Sequence, residues 1–524
     1  MSDENIFEYG KTTLTAKTAL DLARDDKRGR ISPDTAAKVR ASRQAVENIV
    51  ARGKTVYGVN TGFGPLCNTA ITAENTRKLQ ENLLRSHSVG VGDSAPAEIA
   101  KLMLILKLHA LCQGYSGVSL RTLERIQWHL ENNLLPDVPT QGSVGASGDL
   151  APLAHLFLPL IGRGKIMTNG KPREAAEVLQ EQGVPPLSLG PKEGLALING
   201  TQFIAAYAVK ALERFHNCLE SADIIGAMTL ESVLGSMRPF DSRLHQIRAH
   251  PGNQLVAQRL RRLLKNSEMV ASHTNCQRVQ DPYSIRCMPQ VHGASRNAWS
   301  HLKQTLEIEL NAVTDNPIIL DEENTISGGN FHGQPLALPL DYATLAASEI
   351  GNISDRRTYL LLEGVDGLPK LLMKNTGVNS GFMIPQYTSA ALVSENKSLC
   401  FPPSADSIPT SLGQEDHVSM GSISGRRTNQ VIDNLENILA IELLCAAQAF
   451  DYRRPMKSGK ILEACHEVVR SRISHAEEDR VFAKDLAVAR ELIVEKTLVH
   501  TANDAAEKEG VQLNGEYDEL FSFS

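Results

Sequence analysis

The chain has 524 residues, with 54 basic and 60 acidic side chains and a formal net charge of −6 at pH 7. This mildly acidic balance excludes a global basic field that would attract nucleic acid or an anionic membrane surface. The eight cysteines form no Cys-x-x-Cys pair and do not indicate a disulfide scaffold. We therefore expect a large enzyme-sized protein with reduced thiols and a cytoplasmic location.

Helical patterns dominate the chain. The first residues, MSDENIFEYGKT, lack the basic-then-apolar order of a signal peptide, and no stretch reaches the roughly 18 uninterrupted apolar residues that a bilayer-spanning helix needs. Alternating strand patterns are short and scarce, whereas apolar residues at helical spacing recur over long stretches. They predict helices over residues 98–113, 200–217, 296–313, 341–362 and 426–452. The predicted fold class is therefore mainly α, an elongated helical bundle.

Polar or glycine-rich segments interrupt the helical patterns at residues 57–64, 280–286, 327–334 and 404–420. Such loops at helix ends are frequent carriers of functional side chains, because a rigid scaffold positions them. No internal repeat or independent linker divides the chain. We therefore expect these four loops to be candidates for carrying the chemistry.

A further loop-like segment, residues 142–150, reads Gly-Ser-Val-Gly-Ala-Ser-Gly-Asp-Leu. It matches neither a phosphate-binding loop nor a Gly-x-Ser-x-Gly elbow. Its Ala146, Ser147 and Gly148 can cyclise, since the Gly148 nitrogen can attack the Ala146 carbonyl in a tight turn that bulky side chains would oppose. Loss of two waters leaves an imidazolone ring. One water carries the Ser147 hydroxyl, so Cβ of Ser147 becomes an electrophilic methylidene.

Residues 142–155, Gly-Ser-Val-Gly-Ala-Ser-Gly-Asp-Leu-Ala-Pro-Leu-Ala-His, resemble the signature of the methylidene-imidazolone (MIO) ammonia-lyases and aminomutases. The resemblance covers nearly the whole chain. It implies the L-aspartase/ammonia-lyase type of bundle, with a mixed N-terminal region at residues 1–199 and a helical body at residues 200–524. It also implies a homotetramer with shared active sites. The cofactor would be MIO, formed from Ala146, Ser147 and Gly148, with no exogenous cofactor.

Residues 56–64, Val-Tyr-Gly-Val-Asn-Thr-Gly-Phe-Gly, resemble the tyrosine loop of that family. The resemblance implies that Tyr57 is the catalytic base that removes a proton from the substrate Cβ. A phenol has a pKa near 10, and lowering it to about 8 requires roughly 2.7 kcal/mol of preferential phenolate stabilisation. Positive charge or hydrogen-bond donors near Tyr57 must supply this stabilisation.

The segment Gln-Asp-Pro-Tyr-Ser-Ile-Arg, residues 280–286, is similar to another loop of the family. The similarity implies that Arg286 binds the substrate carboxylate through both arms of its guanidinium, a geometry that lysine cannot provide. It also implies that Gln280 binds substrate and that Tyr283 belongs to the catalytic set.

Three single residues extend the predicted site. Asn199 matches the asparagine of the family that hydrogen-bonds the cyclised cofactor or the carboxylate, and Phe331 matches the aromatic side chain that lines the substrate pocket. Asp149 has two interpretations that the sequence leaves open. It either polarises groups during cyclisation or caps the helix that follows it.

Two segments indicate the substrate. Residues 82–87 end in the Ser-His pair usual in histidine-using members, although His87 can hydrogen-bond an imidazole nitrogen or a phenolic hydroxyl. Residues 414–420, Gln-Glu-Asp-His-Val-Ser-Met, resemble the histidine-using form. The Glu415 carboxylate accepts strongly from an imidazole N–H, whereas a buried carboxylate beside a phenyl ring is costly. The resemblance therefore implies elimination of ammonia from L-histidine to give trans-urocanate.

Other functions remain open at this point. The same elimination can act on L-tyrosine. An MIO-dependent aromatic aminomutase would instead return the ammonia to the β-carbon. A non-catalytic helical scaffold, whose tripeptide never cyclises, is a third hypothesis. A metal is not expected, because Arg470 stands where a His-Glu-x-x-His zinc helix starting at His466 would need its second histidine. The expected partner is a small-molecule substrate, an amino acid, with neither nucleic acid nor membrane.

Overall fold

The structure is a computed structural model that describes residues 6–53, 55–62, 71, 73–273 and 278–523. Most of these residues are helical. The helices up to residue 263 are α1 (Ala16–Ala23), α2 (Pro33–Ala51), α3 (Ala73–His87), α4 (Ala97–Cys112), α5 (Leu120–Glu131), α6 (Leu150–Phe157), α7 (Ala175–Glu181), α8 (Glu193–Ile198), α9 (Gln202–Ser232), α10 (Ser242–Gln246) and α11 (Pro251–Leu263). Those that follow are α12 (Glu268–Ser272), α13 (Tyr283–Arg286), α14 (Met288–Leu310), α15 (Gln334–Leu362), α16 (Met383–Leu399), α17 (Gly421–Asp451), α18 (Lys460–Arg472), α19 (Phe482–Val494), α20 (Thr497–Lys508) and α21 (Asp518–Phe521). The predicted mainly α architecture is confirmed.

The strands are short. They are β1 (Ile6–Glu8), β2 (Arg28–Arg30), β3 (Val91–Ser94), β4 (Leu135–Pro136), β5 (Pro139–Gln141), β6 (Lys165–Thr168), β7 (Lys171–Glu174), β8 (Ile318–Ile319) and β9 (Thr325–Ile326). β1 pairs with β2 in parallel, β3 with β5 and β8 with β9 antiparallel, and β4, β6 and β7 form an antiparallel sheet in that order. Seven of these strands precede residue 175, so the N-terminal part has mixed structure. The division at residue 199 stays a prediction.

Long helices form the centre of the fold. α9 packs against α14, α15 and α17, and α15 also packs against α14 and α17. The apolar side chains on their facing surfaces belong to one core that contains residues from Phe7 to Phe521. α4 is buried around almost its whole circumference, as its continuous apolar sequence predicts.

The predicted helix over residues 200–217 is too short, because α9 continues to Ser232. Charged residues interrupt its apolar pattern, and the structure buries them in ion pairs. Arg296 donates to Glu220 at 2.9 Å, and Arg259 donates to Asp223 at 2.8 Å. Buried charges of this kind need such partners. The partners come from α11 and α14, so the sequence of α9 alone does not reveal them.

The segment that carries Ala146, Ser147 and Gly148 lies between the beginnings of α9 and α17. Gly148 forms a bridge with Gly200, just before α9, and the Met420 amide, just before α17, donates to the Val144 carbonyl at 3.0 Å. Three distant parts of the chain therefore meet at this segment. No helix in the ranges that the structure describes is both long and apolar enough to cross a bilayer.

Candidate active site

Ala146, Ser147 and Gly148 form a tight turn. Ser147 has φ 49° and Gly148 has φ 82°, so both residues are in the left-handed region, which glycine tolerates and serine adopts at a cost. A Cβ atom at residue 148 would lie 2.1 Å from the Gly200 carbonyl oxygen. Only glycine therefore fits at this position. The turn is held against Gly200 by hydrogen bonds from the Asp149 amide to the Gly200 carbonyl, 2.8 Å, and from the Gly200 amide to the Ser147 carbonyl, 3.4 Å.

Asp149 lies directly after the turn and is fully buried. Its carboxyl accepts hydrogen bonds from the backbone amides of Phe203 and Ile204 at 3.1 and 3.0 Å and from the Ser143 hydroxyl at 3.2 Å. It therefore caps the first turn of α9. It does not cap α6, the helix that follows it, through its side chain. Burial raises the pKa of this carboxyl to about 7, although the three hydrogen bonds act in the opposite direction.

A cavity of about 350 Å³ opens beside Ser147. Tyr57, His87, Asn199 and Glu415 also line it. They come from the loop after α2, the last residue of α3, the end of α8 and the loop before α17. The structure therefore brings these five predicted site residues together within one chain, with Ala146 and Gly148 on either side of Ser147.

Glu415 faces the tripeptide directly. Its Oε1 accepts a hydrogen bond of 3.0 Å from the Ser147 hydroxyl. Its Oε2 accepts from the hydroxyls of Thr410 and Ser411, at 3.0 and 2.7 Å. A carboxylate that accepts several hydrogen bonds is fixed in orientation. The loop thus holds a negative charge at the cavity wall opposite Ser147.

His87 also lines the cavity, at the last residue of α3. Its Nδ1 is 2.9 Å from the Ser86 hydroxyl. Burial lowers the pKa of the His87 imidazole, and the Glu415 carboxylate acts in the opposite direction. The net shift is downward, so His87 is predominantly neutral at pH 7 and can offer one N–H and one acceptor nitrogen.

Tyr57 reaches the cavity from a turn between α2 and α3. The Asn60 side chain accepts a hydrogen bond of 2.9 Å from the Val56 amide and closes this turn. Gly58 has φ 73°, and a Cβ there would lie 2.4 Å from Leu195 Cδ2. A glycine is therefore required next to the tyrosine. The final residues of the predicted tyrosine loop, 63 and 64, lie outside the described residues.

The loop that carries Gln280, Tyr283 and Arg286 is not part of this cavity lining in the described portion of the chain. Gln280 is exposed, and Tyr283 is 71% exposed. The Arg286 guanidinium carbon lies 4.6 Å from the centre of the Tyr283 ring. Asp281 fixes the loop by accepting a 2.8 Å hydrogen bond from the Ser236 amide. Within a single chain these side chains are therefore directed to a surface other than the cavity.

Phe331 is half-buried and also lies outside the lining of the cavity as far as the described ranges show. Its neighbour His332 stacks on His417, with 5.8 Å between the ring centres. The His332 ring nitrogen Nε2 also lies 3.3 Å from the His417 carbonyl oxygen. The Phe331 segment therefore packs beside the loop that carries Glu415.

Lys107 is a residue of the site that sequence reasoning missed. It is 1% exposed, and its ammonium group donates a hydrogen bond to the Asn199 carbonyl, behind the cavity wall. Nearby, the Lys192 ammonium pairs with Asp315 at 2.6 Å. Burial lowers the pKa of Lys107 to about 7, whereas the carboxylates of Asp315 and Asp149 raise it. The signal in the sequence was a lysine within the apolar run of residues 98–113.

No group of three or more His, Cys, Asp or Glu side chains suited to a metal ion occurs in the part of the chain that the structure covers. The cysteines in that part are free thiols, namely Cys112, Cys218, Cys287, Cys400, Cys445 and Cys465. Cys67 and Cys276 lie outside the described residues. That the protein needs no metal stays a prediction.

The chain is similar to proteins of known family and structure. A family model described as aromatic amino acid lyase matches residues 14–471. The histidine ammonia-lyase of Myxococcus xanthus (strain DK1622) is 47% identical over 483 residues, which are 92% of this chain and 95% of that protein. The crystal structure of histidine ammonia-lyase from Trypanosoma cruzi superposes with a TM-score of 0.90 at 40% identity, covering 99% of this chain and 98% of the other. That of tyrosine aminomutase from Streptomyces globisporus has a TM-score of 0.90 at 34% identity, covering 97% and 99%.

Proposed function

The chain belongs to the aromatic amino acid lyase family, and we propose that this lyase removes ammonia from L-histidine to give trans-urocanate. The observation that carries the proposal is the position of Glu415, whose carboxylate lies in one cavity with His87 and Ser147. The near-full-length similarity to proteins named histidine ammonia-lyase supports the same substrate.

We propose that Ala146, Ser147 and Gly148 form the MIO cofactor without an exogenous group. Three features of the turn suit this cyclisation: its left-handed backbone, the absence of space for a Cβ at residue 148, and the Ser147 hydroxyl at the cavity wall. When formed, this group supplies an electrophilic carbon for the amine or the ring of the substrate. The remaining chemistry belongs to side chains around the cavity.

Glu415 and His87 bind the imidazole ring of the substrate in this proposal. Thr410 and Ser411 keep the Glu415 carboxylate in place. Cyclisation removes the Ser147 hydroxyl as water, so Oε1 of Glu415 loses that donor while still facing the cavity. An imidazole N–H can replace the lost hydrogen bond, whereas a phenyl ring would leave the carboxylate unpaired. This difference favours histidine.

Tyr57 takes the proton from the substrate Cβ. Its ring lies at the wall of the same cavity, and the turn around Gly58 holds it there. General base catalysis requires this direct access to the proton that is removed. Asn199, also in the lining, is placed to hydrogen-bond the cyclised tripeptide or the carboxylate of the substrate.

Other copies of the chain complete the site. We propose a cytoplasmic homotetramer in which Gln280, Tyr283, Arg286 and Phe331 of neighbouring subunits reach the cavity, with Arg286 clamping the substrate carboxylate. The exposure of Tyr283 in a single chain supports this arrangement. Large apolar side chains that are about half exposed on α15 and α16 also support a homotetramer, since exposed apolar surfaces mark interfaces. They are Tyr342, Leu345, Ile384 and Tyr387.

Near-ultraviolet monitoring of the purified protein with L-histidine, and separately with L-tyrosine, tests the function. We expect urocanate from histidine and little or no coumarate from tyrosine, with Ser147→Ala as the control that lacks the electrophile. Coumarate as the main product would support ammonia-lyase activity but refute L-histidine as the substrate. A β-amino acid product would indicate an aminomutase. If the protein forms no product and shows neither the near-ultraviolet absorption band of the cyclised tripeptide nor a mass deficit of two waters, it is a non-catalytic scaffold.

A further inference from the structure

One peptide group connects a buried lysine to the tripeptide. The carbonyl of Asn199 accepts a hydrogen bond from the Lys107 ammonium. The amide nitrogen of the same peptide group, contributed by Gly200, donates to the Ser147 carbonyl at 3.4 Å. Lys107 and the Ser147 carbonyl therefore lie at the two ends of one peptide dipole.

The Ser147 carbonyl is chemically important in the proposed function, on which this inference rests. After cyclisation it is conjugated to the methylidene carbon, the former Cβ of Ser147. A nucleophile that bonds to this carbon displaces the π electron pair toward the Ser147 carbonyl oxygen. A donor aimed at that oxygen stabilises the developing negative charge, as backbone amides do in oxyanion holes. The Gly200 amide is such a donor.

A cation on the far side of the peptide group strengthens this donor. Hydrogen bonds in a chain polarise one another, and the effect is largest where water is excluded. Lys107 is almost fully buried, and burial lowers its pKa to about 7, while the carboxylate of Asp315 acts in the opposite direction. The ammonium form of Lys107 therefore predominates below about pH 7. The Lys192 ammonium opposes that charge but is itself paired with Asp315.

We propose that Lys107 is a positioning residue that acts through the Asn199–Gly200 peptide group to polarise the Ser147 carbonyl and raise the reactivity of the cyclised tripeptide toward nucleophiles. A purely structural lysine would support folding without changing that reactivity. The two roles therefore predict different reactivity toward nucleophiles in a protein that folds and cyclises but lacks the Lys107 charge.

The test measures addition of 2-mercaptoethanol to the intact protein without substrate at about pH 6, where Lys107 carries its charge. The thiolate sulfur bonds to Ser147 Cβ, the π pair moves toward the Ser147 carbonyl, and a proton from water completes the net addition of one thiol. The rate is followed as loss of the near-ultraviolet band and is divided by the cyclised fraction, measured as the mass deficit of two waters. The variants are Lys107→Met, Lys107→Arg and, as a matched control, Lys101→Met. Lys101 is also buried on α4, but it pairs with Asp25.

We expect Lys107→Met to react about tenfold more slowly per cyclised site, with its band shifted to shorter wavelength, while Lys107→Arg stays within about threefold of wild type. Lys101→Met should react like wild type. An unshifted band and an unchanged rate in Lys107→Met would overturn the inference, as would an equally slow Lys107→Arg.

If Lys107→Met does not fold or cyclise, Lys107→Gln takes its place, because it keeps a donor without the charge. A wild-type rate in Lys107→Gln, or failure of Lys107→Arg to cyclise, would also overturn the inference. A wild-type protein with neither band nor mass deficit would instead refute the proposed function. The two failures are therefore distinguishable.

Discussion

The hydroxyl of Ser147 donates a 3.0 Å hydrogen bond to Oε1 of Glu415, which lies 268 positions later in the chain. In the proposed maturation this hydroxyl leaves as water, so the bond exists only before cyclisation. Oε2 of Glu415 keeps its own donors, the hydroxyls of Thr410 and Ser411. The carboxylate therefore stays in place while Oε1 becomes available to a ligand.

Replacing Glu415 with glutamine should harm histidine turnover selectively. Glutamine can still accept a hydrogen bond, but it lacks the charge that strengthens the bond to an imidazole N–H. A hydrogen bond to a charged group is worth about 1.5 to 3 kcal/mol, so we expect kcat/KM for L-histidine to fall about 10- to 100-fold. Any residual turnover of L-tyrosine should change less than about threefold. Steady-state kinetics with both substrates measures the difference.

Asp416→Asn is the matched control for Glu415→Gln, because it removes a neighbouring acidic charge that is exposed. We expect it to leave both turnover rates close to wild type. Equal losses for the two substrates in Glu415→Gln would refute the pairing of this carboxylate with the imidazole ring.

Replacing Tyr57 with phenylalanine should remove the catalytic base while keeping the aromatic ring at the cavity wall. General base catalysis contributes about 10²- to 10⁴-fold, so we expect kcat to fall by at least about 100-fold. In the proposed cyclisation the Gly148 nitrogen attacks the Ala146 carbonyl without help from the phenol, so we expect the near-ultraviolet band and the mass deficit of two waters to be retained. Kinetics, absorbance and intact mass on the same sample test this combination.

Tyr115→Phe provides the control for this loss, since Tyr115 is 41% exposed and is not among the residues that line the cavity. It should retain full activity. Near-normal turnover in Tyr57→Phe would contradict the assignment of the base. Loss of the band together with the activity would instead mean that Tyr57 is needed for maturation.

The sequence predicted much of this cavity lining because several of its residues occur in short, recognisable motifs. Tyr57, His87, Ser147, Asn199 and Glu415 were each singled out by a local pattern, and they line one cavity. The continuous apolar run of residues 98–113 likewise predicted α4 to within one residue at each end. Local patterns are informative where the backbone or the side-chain chemistry is restricted by neighbours in sequence.

Contacts between distant segments could not be predicted in the same way. The Asp149 carboxyl caps α9, more than 50 positions later, and not the helix that directly follows it. Lys107 acts on the Asn199 carbonyl from a separate helix. The continuation of α9 beyond residue 217 depends on arginines of α11 and α14. In each case a buried polar group is satisfied by a partner that only the tertiary fold brings near.

The buried Asp149 should make stability depend on pH. Burial raises the pKa of its carboxyl in the folded protein to about 7, from an ordinary value of 3.8. The native state therefore prefers the neutral carboxyl, and the stability that this preference gives is complete below about pH 4 and lost as the pH rises through 7. The asparagine side chain in Asp149→Asn cannot ionise, and it retains an acceptor for the α9 amides. The quantity to measure is the Tm of Asp149→Asn minus the Tm of its parent. We expect this difference to be more positive at pH 8 than at pH 4 by at least about 3 °C.

This measurement is made in the Ser147→Ala background, so that differences in cyclisation do not contribute to Tm. Asp416→Asn in the same background is the control, because it removes an acidic side chain that is exposed. A pH-independent Tm difference for Asp149→Asn would show that Asp149 does not have the raised pKa.

Co-assembly of two variants in the proposed homotetramer should show whether the active site is shared between chains. Tyr57→Phe and Arg286→Ala are each expected to be inactive, because one lacks the base and the other lacks the carboxylate clamp. If these two residues reach a site from different subunits, random co-assembly of the two chains leaves about a quarter of the sites intact. Co-expression of the two variants should therefore restore about a quarter of the wild-type activity.

The matched control pairs Tyr57→Phe with Ser147→Ala. Tyr57 and Ser147 line the cavity of the same chain, so no co-assembled site contains both native residues, and activity should not return. If Tyr57→Phe with Arg286→Ala is equally inactive, then Arg286 must act within its own chain or not at the site. The exposed Tyr283 and its stacking on Arg286 would then require an explanation other than a shared active site.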